Sequence, residues 1–412
     1  MTEQVNRPKF RFSGFESNWS QYALKDVATL TSGMHLSPED YSASGTMPYF
    51  TGPSDITSNI GEVKKFTEKS KQVAKFGEIL ITVKGSGVGK TAFCKLPRAF
   101  IGRQLMSINA SSALNPIIQA LLEQRINKLE SLAMGNMIPG LSRVDILSLK
   151  MFLPDSEEEQ QKIASFLSKV DEKIALLTEK KDKLTEYKKG VMQQLFNGQW
   201  EEQDGLLTFI PPTLRFKADD GSEFPDWKEK ALGDFSRIYD GTHQTPKYVD
   251  EGVPFYSVEH VTANKFEKTK YISEEVYAKE CKRVTLEKGD ILLTRIGSVG
   301  DVRLIDWDVR ASFYVSLALV KYNDEIVGQY LASFMQSPNF QSELWKRMIH
   351  VAFPKKINLG EIGHCLVSVP SRDEQTKIAN FLSAIDQKID LTNSELEKAK
   401  EWKKGLLQQM FV

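Results

Sequence analysis

The chain has 412 residues, more than one ordinary hydrophobic core can organise, so we expect two to four domains. Its 54 Lys and Arg balance 54 Asp and Glu, which excludes both the strongly basic balance of a typical nucleic-acid-binding protein and the acidic balance of a disordered tail. A hydrophobic share of 41% excludes intrinsic disorder as the main state.

The cysteines and the apolar segments indicate the compartment. The three cysteines lie far apart and form no C-x-x-C pair, so neither a disulfide framework nor a thiolate zinc site is expected. The first residues lack the apolar stretch of a signal peptide, and the apolar runs are too short to span a membrane. We therefore expect a cytoplasmic protein without membrane contact.

The first predicted globular segment, residues 1–154, contains β-rich runs that end in glycine-rich turns. A G-x-H-x-x-P turn places His35 between Gly33 and Pro38, and a second turn follows the apolar run at residues 77–86. The His35 ring could donate a hydrogen bond to a ligand, or could stabilise its own turn. A single histidine without further ligands nearby is weak evidence for a metal site, and none is predicted.

The glycine-rich turn that begins at Gly85 resembles a nucleotide-binding P-loop at first sight. Its pattern, G-x-x-x-G-K-T, is one residue short of the pattern that wraps a phosphate. We interpret it as a tight turn after a strand, whose exposed backbone N–H groups, with Lys84, Ser86 and Lys90, can bind a phosphate group of a ligand. Arg143, after Pro139, is predicted to lie in a later loop of the same segment and to contact phosphate.

Residues 155–196 are predicted to form one helix of about 40 residues. Apolar residues recur at spacings of four and three, as at Ile163, Leu167 and Val170. Ser156, just after Pro154, is typical of a helix cap.

Residues 197–369 comprise a predicted linker, near 197–212, and a second globular segment. A second G-x-H-x-x-P turn carries His243, followed by Lys247 and Tyr248 as further candidate contacts. A second apolar run ends in Arg295 and a glycine-rich turn with Ser298. Arg295 could donate two parallel hydrogen bonds to a ligand, or could form a structural ion pair.

Lys355 and Lys356 follow Pro354 in a loop that corresponds to the one after Pro139. They could bind phosphate, although paired lysines on a surface are also commonly just solvated. Residues 370–412 then predict a second long helix.

The two helices are copies of one sequence. Residues 159–196 and 374–411 align without a gap and share 20 of 38 residues. A single exposed helix of this length would be marginal, so we expect the two apolar stripes to pack together. The globular segments match only at scattered positions, and they differ in charge: residues 1–154 have 18 basic and 12 acidic residues, whereas residues 197–369 have 21 and 26.

The repeated signature E-Q-x-K-I-A-x-F-L-S-x-[VI]-D-x-K-I, together with G-[DE]-I-L-[LI]-T in each globular segment, resembles the specificity subunit of Type I restriction-modification systems. The resemblance implies an α/β (α+β) fold. One target-recognition domain would comprise residues 1–154, and the other, together with the linker, residues 197–369. Antiparallel coiled-coil spacer helices at 155–196 and 370–412 would separate them. The resemblance also implies a non-catalytic protein that reads a split, asymmetric target in double-stranded DNA, one half-site per domain.

On this resemblance the turn and loop residues become candidate DNA contacts, and Arg295 could donate both of its hydrogen bonds to one guanine. The candidates are His35, Lys84, Ser86, Lys90 and Arg143 in the first domain, and His243, Lys247, Tyr248, Arg295, Ser298, Lys355 and Lys356 in the second.

The same resemblance implies the partners. Methyltransferase subunits, two of them, would bring S-adenosylmethionine, and restriction or translocase subunits would use ATP and magnesium, so the chain itself needs no cofactor. Docking is expected on the helices, at Phe166, Tyr187, Phe381 and Trp402, although these side chains could instead be core. The acidic second segment suggests that DNA affinity depends on the methyltransferase completing a clamp.

Two other functions remain open from the residues alone. A P-loop ATPase with coiled-coil arms would use Lys90, and a coiled-coil adaptor would lack DNA affinity. The chain lacks the N-P-P-F or D-P-P-Y loop of an adenine methyltransferase, and its one PD…ExK match falls on a predicted helix, so both corresponding enzyme activities are excluded.

Overall fold

The computed structural model describes residues 7–135, 140–203 and 206–411. The chain divides into two compact units, unit 1 (Met1–Glu179 with Asn393–Val412) and unit 2 (Lys180–Thr392). The dividing points fall inside the two long helices. Each unit therefore combines one globular segment with parts of both helices.

The globular segment of unit 1 is built on a four-stranded antiparallel sheet. The segment as a whole contains the strands β1 (Ser20–Ala23), β2 (Thr29–Ser32), β3 (Tyr49–Phe50), β4 (Val73–Lys75), β5 (Ile79–Thr82), β6 (Thr91–Phe93), β7 (Arg98–Ile101), β8 (Leu105–Asn109) and β9 (Lys150–Leu153). Its helices are α1 (Leu24–Val27), α2 (Leu114–Gln124), α3 (Ile126–Gly135) and α4 (Arg143–Leu147), and the long helix α5 (Glu157–Leu195) follows. The main sheet has the order β2-β8-β5-β6, a smaller sheet the order β3-β7-β4, and β1 pairs with β9.

The globular segment of unit 2 repeats this plan. Its strands are β10 (Gln199–Gln203), β11 (Leu206–Ile210), β12 (Lys228–Ala231), β13 (Ser236–Asp240), β14 (Tyr248–Val249), β15 (Val253–Tyr256), β16 (Lys270–Ile272), β17 (Ile291–Thr294), β18 (Val302–Leu304), β19 (Ser312–Phe313), β20 (Leu317–Tyr322) and β21 (Leu366–Val369). Its helices are α6 (Leu232–Phe235), α7 (Val258–Ala263), α8 (Glu274–Glu280), α9 (Gly328–Met335), α10 (Pro338–Arg347) and α11 (Leu359–Gly363), and the second long helix is α12 (Arg372–Met410). The sheets have the orders β13-β20-β17-β18 and β14-β16-β15-β19, and β12 pairs with β21.

The central strands of the two main sheets are the apolar runs that the sequence repeats. Every residue of β5 and of β17 is buried, because side chains on both faces of the strand meet packed elements. In each segment a strand near the start of the sheet-forming region pairs with the last strand before the long helix: β1 with β9, Ser20 opposite Leu153, and β12 with β21, Lys228 opposite Val369. The long helix therefore starts beside the point where its globular segment begins.

Two glycines at matched positions allow the backbone to cross closely at one end of each main sheet. A Cβ atom on Gly33 would lie 2.0 Å from the carbonyl oxygen of Gly102, and one on Gly241 would lie 2.1 Å from that of Phe313. No larger residue fits without moving the backbone. The G-x-H-x-x-P turns are thus held against the strand connection beneath them.

The two long helices are each 39 residues, close to the predicted length of about 40, and each starts just after a serine. The Ser156 hydroxyl accepts from the backbone N–H of Glu159, and the Ser371 hydroxyl accepts from that of Glu374. The predicted α/β (α+β) architecture with a paired-helix repeat is confirmed.

The helices run antiparallel within each unit. In unit 1 the apolar core joins Leu167 near the start of α5 to Leu406 near the end of α12, and in unit 2 it joins the end of α5 to the start of α12. Lys188 and Lys403, which interrupt the apolar spacing, form ion pairs between the helices: Lys188 with Asp386 at 2.6 Å and Lys403 with Asp171 at 2.8 Å. These interruptions are therefore part of the packing.

A buried carboxylate fixes each globular segment to its helix. In unit 1 the Glu159 carboxylate accepts from Arg11 at 2.6 and 2.7 Å and from the Trp19 indole N–H at 3.3 Å. In unit 2 the Glu374 carboxylate accepts from Arg215 at 3.0 and 3.2 Å. It also accepts from the Trp227 indole N–H at 3.0 Å. We call each set an Arg–Glu–Trp triad.

The predicted linker at 197–212 is not a structureless connection. β10 and β11 form an antiparallel ribbon, with the Trp200 and Phe209 rings 5.3 Å apart and Phe209 stacked on Trp227 at 6.2 Å. The aromatic residues gain burial by packing on unit 2, and this outweighs the polar residues that favoured a linker.

Nowhere in the described ranges does a helix combine the length and the apolar character needed to cross a membrane.

Candidate DNA interface

Loops that the sequence singled out meet at one edge of unit 2. The loop 241–248 and the loop 295–300 are joined through Val315, whose backbone N–H donates to the Thr242 carbonyl at 3.0 Å. The Val315 carbonyl in turn accepts from the Arg295 guanidinium at 2.8 Å. Thr242 and Arg295, 53 positions apart in the sequence, thus share one support.

A third loop, residues 348–356, joins the same edge. The Gly297 backbone N–H donates to the Lys355 carbonyl at 2.9 Å, and Lys356 forms β-bridges with both Ile296 and Ile349. The side chains of Lys355, Lys356 and Ser298 are exposed along this edge. The Ser298 hydroxyl donates to Asp301 at 2.8 Å, so its oxygen is the part left to accept from a ligand.

The His243 turn is exposed at the same edge, and its ring is 2.6 Å from Asp240 through Nε2. Asp240 also pairs with Arg283, so the carboxylate that orients the ring is itself held in place. Among the described residues, the other ring nitrogen, Nδ1, has no hydrogen-bond partner. Lys247 is exposed. Tyr248 is partly buried, with the Lys270 ammonium 4.5 Å above its ring, and desolvation raises the pKa of its hydroxyl.

Arg295 has a structural task in this structure. It is 9% exposed, and its Nε donates to the Ile357 carbonyl at 3.2 Å in addition to the Val315 contact. Burial lowers the pKa of the guanidinium, which faces backbone carbonyls rather than a carboxylate. The sequence left Arg295 either as a donor to guanine or as part of a structural ion pair. The geometry favours a structural role, but through hydrogen bonds to backbone carbonyls instead of an ion pair.

Unit 1 builds the equivalent edge from loops 33–38, 84–90 and 140–143. The Leu141 backbone N–H donates to the Val83 carbonyl at 2.9 Å, which places the third loop against the glycine-rich turn. The Arg143 guanidinium donates to the Leu30 carbonyl at 2.8 Å and to the Ser32 hydroxyl at 3.0 Å, next to the His35 turn. The exposed predicted contacts here are His35, Lys84, Ser86, Lys90 and Arg143. Pro139 lies outside the described residues.

The glycine-rich turn of unit 1 is not a P-loop. Gly85, Gly87 and Gly89 all have positive φ, at 85°, 91° and 84°, and the turn leads from β5 directly into the antiparallel strand β6. A P-loop needs a helix N-terminus at this point to bind phosphate. The arrangement therefore excludes the nucleotide site that the ATPase alternative requires.

Some side chains at these edges were missed from the sequence. Arg103 and Gln104 are exposed in the turn between β7 and β8, and the Gln104 amide approaches Gly85. Val351 and Phe353 are exposed in the third loop of unit 2. The only signal for the latter pair was an apolar run immediately before Pro-Lys-Lys.

Comparison with known proteins gives the family. The profile of the Type I restriction modification DNA specificity domain matches residues 16–186 and 225–401, one match for each half of the internal repeat and most of the chain together. The chain belongs to this family. Membership confirms the resemblance found in the sequence, and with it the prediction of a specificity subunit rather than an enzyme.

Individual relatives agree with this family. The specificity subunit of the type I restriction enzyme MjaVIII from Methanocaldococcus jannaschii is 26% identical over 294 residues, which cover 69% of this chain and 66%, just under two thirds, of that relative. The S subunit of a Type I restriction-modification system from M. genitalium has the same fold, with a TM-score of 0.64 at 20% identity over 98% of this chain and 99% of that one. A chain solved in a study of complex assembly in the type I R-M system gives a TM-score of 0.50 at 16% identity, over 95% and 97% of the two chains.

The four residues predicted to dock a partner form two pairs that differ in exposure. Phe166 and Phe381, at equivalent positions of the repeat, are partly buried, and their rings lie 5.6 Å from Phe12 and 5.5 Å from Phe216. Tyr187 and Trp402 are also equivalent, and both are 54% exposed. Only the second pair leaves most of its side-chain surface exposed.

Within the described ranges, no group of three or more His, Cys, Asp or Glu side chains is arranged to hold a metal ion.

Proposed function

We propose that this chain is the DNA sequence-recognition subunit of a Type I restriction-modification complex and that it reads an asymmetric, bipartite target. The observation that carries the proposal is the repetition of one three-loop edge on two closely similar sheets. A structural role alone would not require each copy to expose a different set of polar side chains on the same support.

The two edges differ in the chemistry they offer. Unit 1 presents the Lys84 and Lys90 ammonium groups with the Arg143 guanidinium, whereas unit 2 presents His243, Lys355 and Lys356. Lysine and arginine neutralise phosphates, and donors aimed into a groove distinguish bases. Because the two sets differ, each unit reads its own half-site, and the target is asymmetric.

The repeated helices support docking of methyltransferase subunits, one on each half of the repeat. Tyr187 and Trp402 are large, exposed aromatic side chains at equivalent positions, and such residues commonly anchor protein interfaces. In this proposal the methyltransferase brings S-adenosylmethionine, and the restriction subunits bring ATP and magnesium. The complex acts on cellular DNA, so we place it in the cytoplasm.

The experiment is a methylome of cells that express the chain with its cognate methyltransferase subunit, compared with cells that express the methyltransferase alone. We expect methyladenine at one split, asymmetric motif only in the first strain. Co-purification of the two proteins without a new motif would leave a coiled-coil adaptor as the function.

The docking residues are tested separately by Tyr187→Ala and Trp402→Ala. Each substitution should weaken retention of the methyltransferase while the chain stays folded. Leu391→Ala is the matched control, because Leu391 is a comparably exposed apolar residue of α12 that the proposal does not use.

A further inference from the structure

The loop 348–356 of unit 2 exposes apolar side chains at its tip. Phe353 is fully exposed, Val351 is 96% exposed, and Trp345, at 60% exposed, lies beside His350 with the ring centres 4.7 Å apart. Single exposed apolar residues are common on protein surfaces. Here Val351 and Phe353 lie two residues apart in the loop, and Trp345 of α10 contacts His350 of the same loop, so the tip, rather than one side chain, is apolar.

The base of this loop is firmly held. The Ile349 backbone N–H donates to the Lys356 carbonyl at 2.8 Å, and the Ile357 N–H donates to the Arg295 carbonyl at 3.0 Å. The Ile357 side chain is fully buried. Arg295, whose Nε donates back to the Ile357 carbonyl, therefore serves to hold the loop against the glycine-rich turn. A tip on such a base can press into a ligand without large loss of backbone freedom.

The charge beside the tip indicates which ligand it fits. Lys355 and Lys356 follow Phe353 by two and three residues and are both exposed, next to the turn that carries Ser298. Proteins that kink DNA place an apolar side chain between two base pairs and cations on the flanking phosphates. An apolar tip followed by two lysines, on the edge assigned to DNA, has this composition.

We propose that Phe353 is a wedge that inserts between adjacent base pairs at the half-site read by unit 2, with Lys355 and Lys356 on the neighbouring phosphates. The inference rests on the proposed DNA-recognition function and adds a distortion of the duplex to it. Specificity at this half-site then includes the ease with which one base step opens, in addition to direct contacts.

The test uses the full chain assembled with its methyltransferase subunits and duplexes that carry 2-aminopurine at successive positions of the second half-site and its flanks. Unstacking raises the fluorescence of this base analogue. We expect wild-type complex to raise it at one base step outside the methylated adenine, and Phe353→Ala to remove that rise and weaken binding roughly tenfold. Phe353→Leu should retain part of both effects.

The control is Phe76→Ala, because Phe76 is a phenylalanine, 72% exposed, that belongs to unit 1, whereas the loop belongs to unit 2. It should leave both fluorescence and affinity unchanged. A wild-type complex that methylates a bipartite motif but unstacks no base except the methylated adenine would overturn the wedge while leaving the proposed function intact. Loss of methyltransferase from the Phe353→Ala complex would instead identify the tip as a protein-docking surface and also overturn the wedge. Absence of any motif with wild-type protein would refute the proposed function itself.

Discussion

Replacing Glu374 by Gln should strongly destabilise unit 2. The carboxylate is completely buried and accepts from Arg215 and from the Trp227 indole. The substitution puts an NH₂ group where an oxygen now accepts. It also leaves the Arg215 guanidinium, which is 13% exposed, with the exposed Asp226 carboxylate at 3.8 Å as its remaining counter-charge. Breaking one side of a buried ion pair costs about 3–5 kcal/mol. For a unit of this size that lowers Tm by roughly 6–20 °C.

Differential scanning calorimetry of the full chain measures the effect, since the chain has two units and need not unfold in one step. Asp373→Asn is the matched control, because Asp373 is exposed in the same helical turn, and it should cost less than about 1 kcal/mol. Adding Arg215→Met to Glu374→Gln should recover part of the loss, because no unpaired buried charge remains.

The reasoning is refuted if Glu374→Gln melts within the range of its Asp373→Asn control. The equivalent substitution in unit 1, Glu159→Gln, provides an independent repetition, because the Arg11 and Trp19 contacts reproduce the geometry.

The remaining predictions concern the cysteines and the lysine pair. Burial raises the pKa of the Cys94 thiol to about 11 and that of the Cys365 thiol to about 12. At pH 8, therefore, only Cys281, which is half-buried, should react with a thiol reagent in the native chain, and all three cysteines should react in denaturant. Rapid labelling of two thiols in the native chain would contradict this burial. Replacing Lys355 and Lys356 together by alanine should lower the magnitude of the slope of log affinity against log salt concentration by about 2, because each lysine neutralises one phosphate. Titration of the assembled complex with DNA at several salt concentrations measures this slope. An unchanged slope would mean that both ammonium groups stay in solvent.

The helices could be predicted from the sequence almost to the residue. Their apolar spacing and their capping serines are local signals, and the two copies repeat them. The strands β5 and β17 could be predicted equally well, because strands that are buried on both faces are continuous apolar runs in the sequence. These features depend mainly on neighbours within one element.

The triads and the role of Arg295 could not be predicted, because they depend on contacts between distant parts of the chain. Glu159 and Glu374 belong to the repeated helix sequence, but nothing local indicates that they are buried by arginines 148 and 159 positions earlier. Arg295 likewise is held by carbonyls 20 and 62 positions later. One informative signal was present, namely a glutamate repeated near the start of an apolar stripe four residues before Ile163 and Ile378.

The ribbon at 199–210 was missed for a related reason. Its strands are short, and the first of them, Gln199–Gln203, is mainly polar; both persist because Trp200 and Phe209 pack towards Trp227. A two-stranded ribbon alone is marginally stable, so the sequence of the ribbon by itself gives little sign of it.

The central claim is that each unit reads one half of a split target. The most direct measurement is a methylome after residues 1–154 are replaced by the matching segment of a relative with a different motif, with the cognate methyltransferase present. The account predicts that one half-site changes to that of the relative while the other half-site stays the same. A change in both half-sites, or in neither with the complex assembled and active, would contradict it.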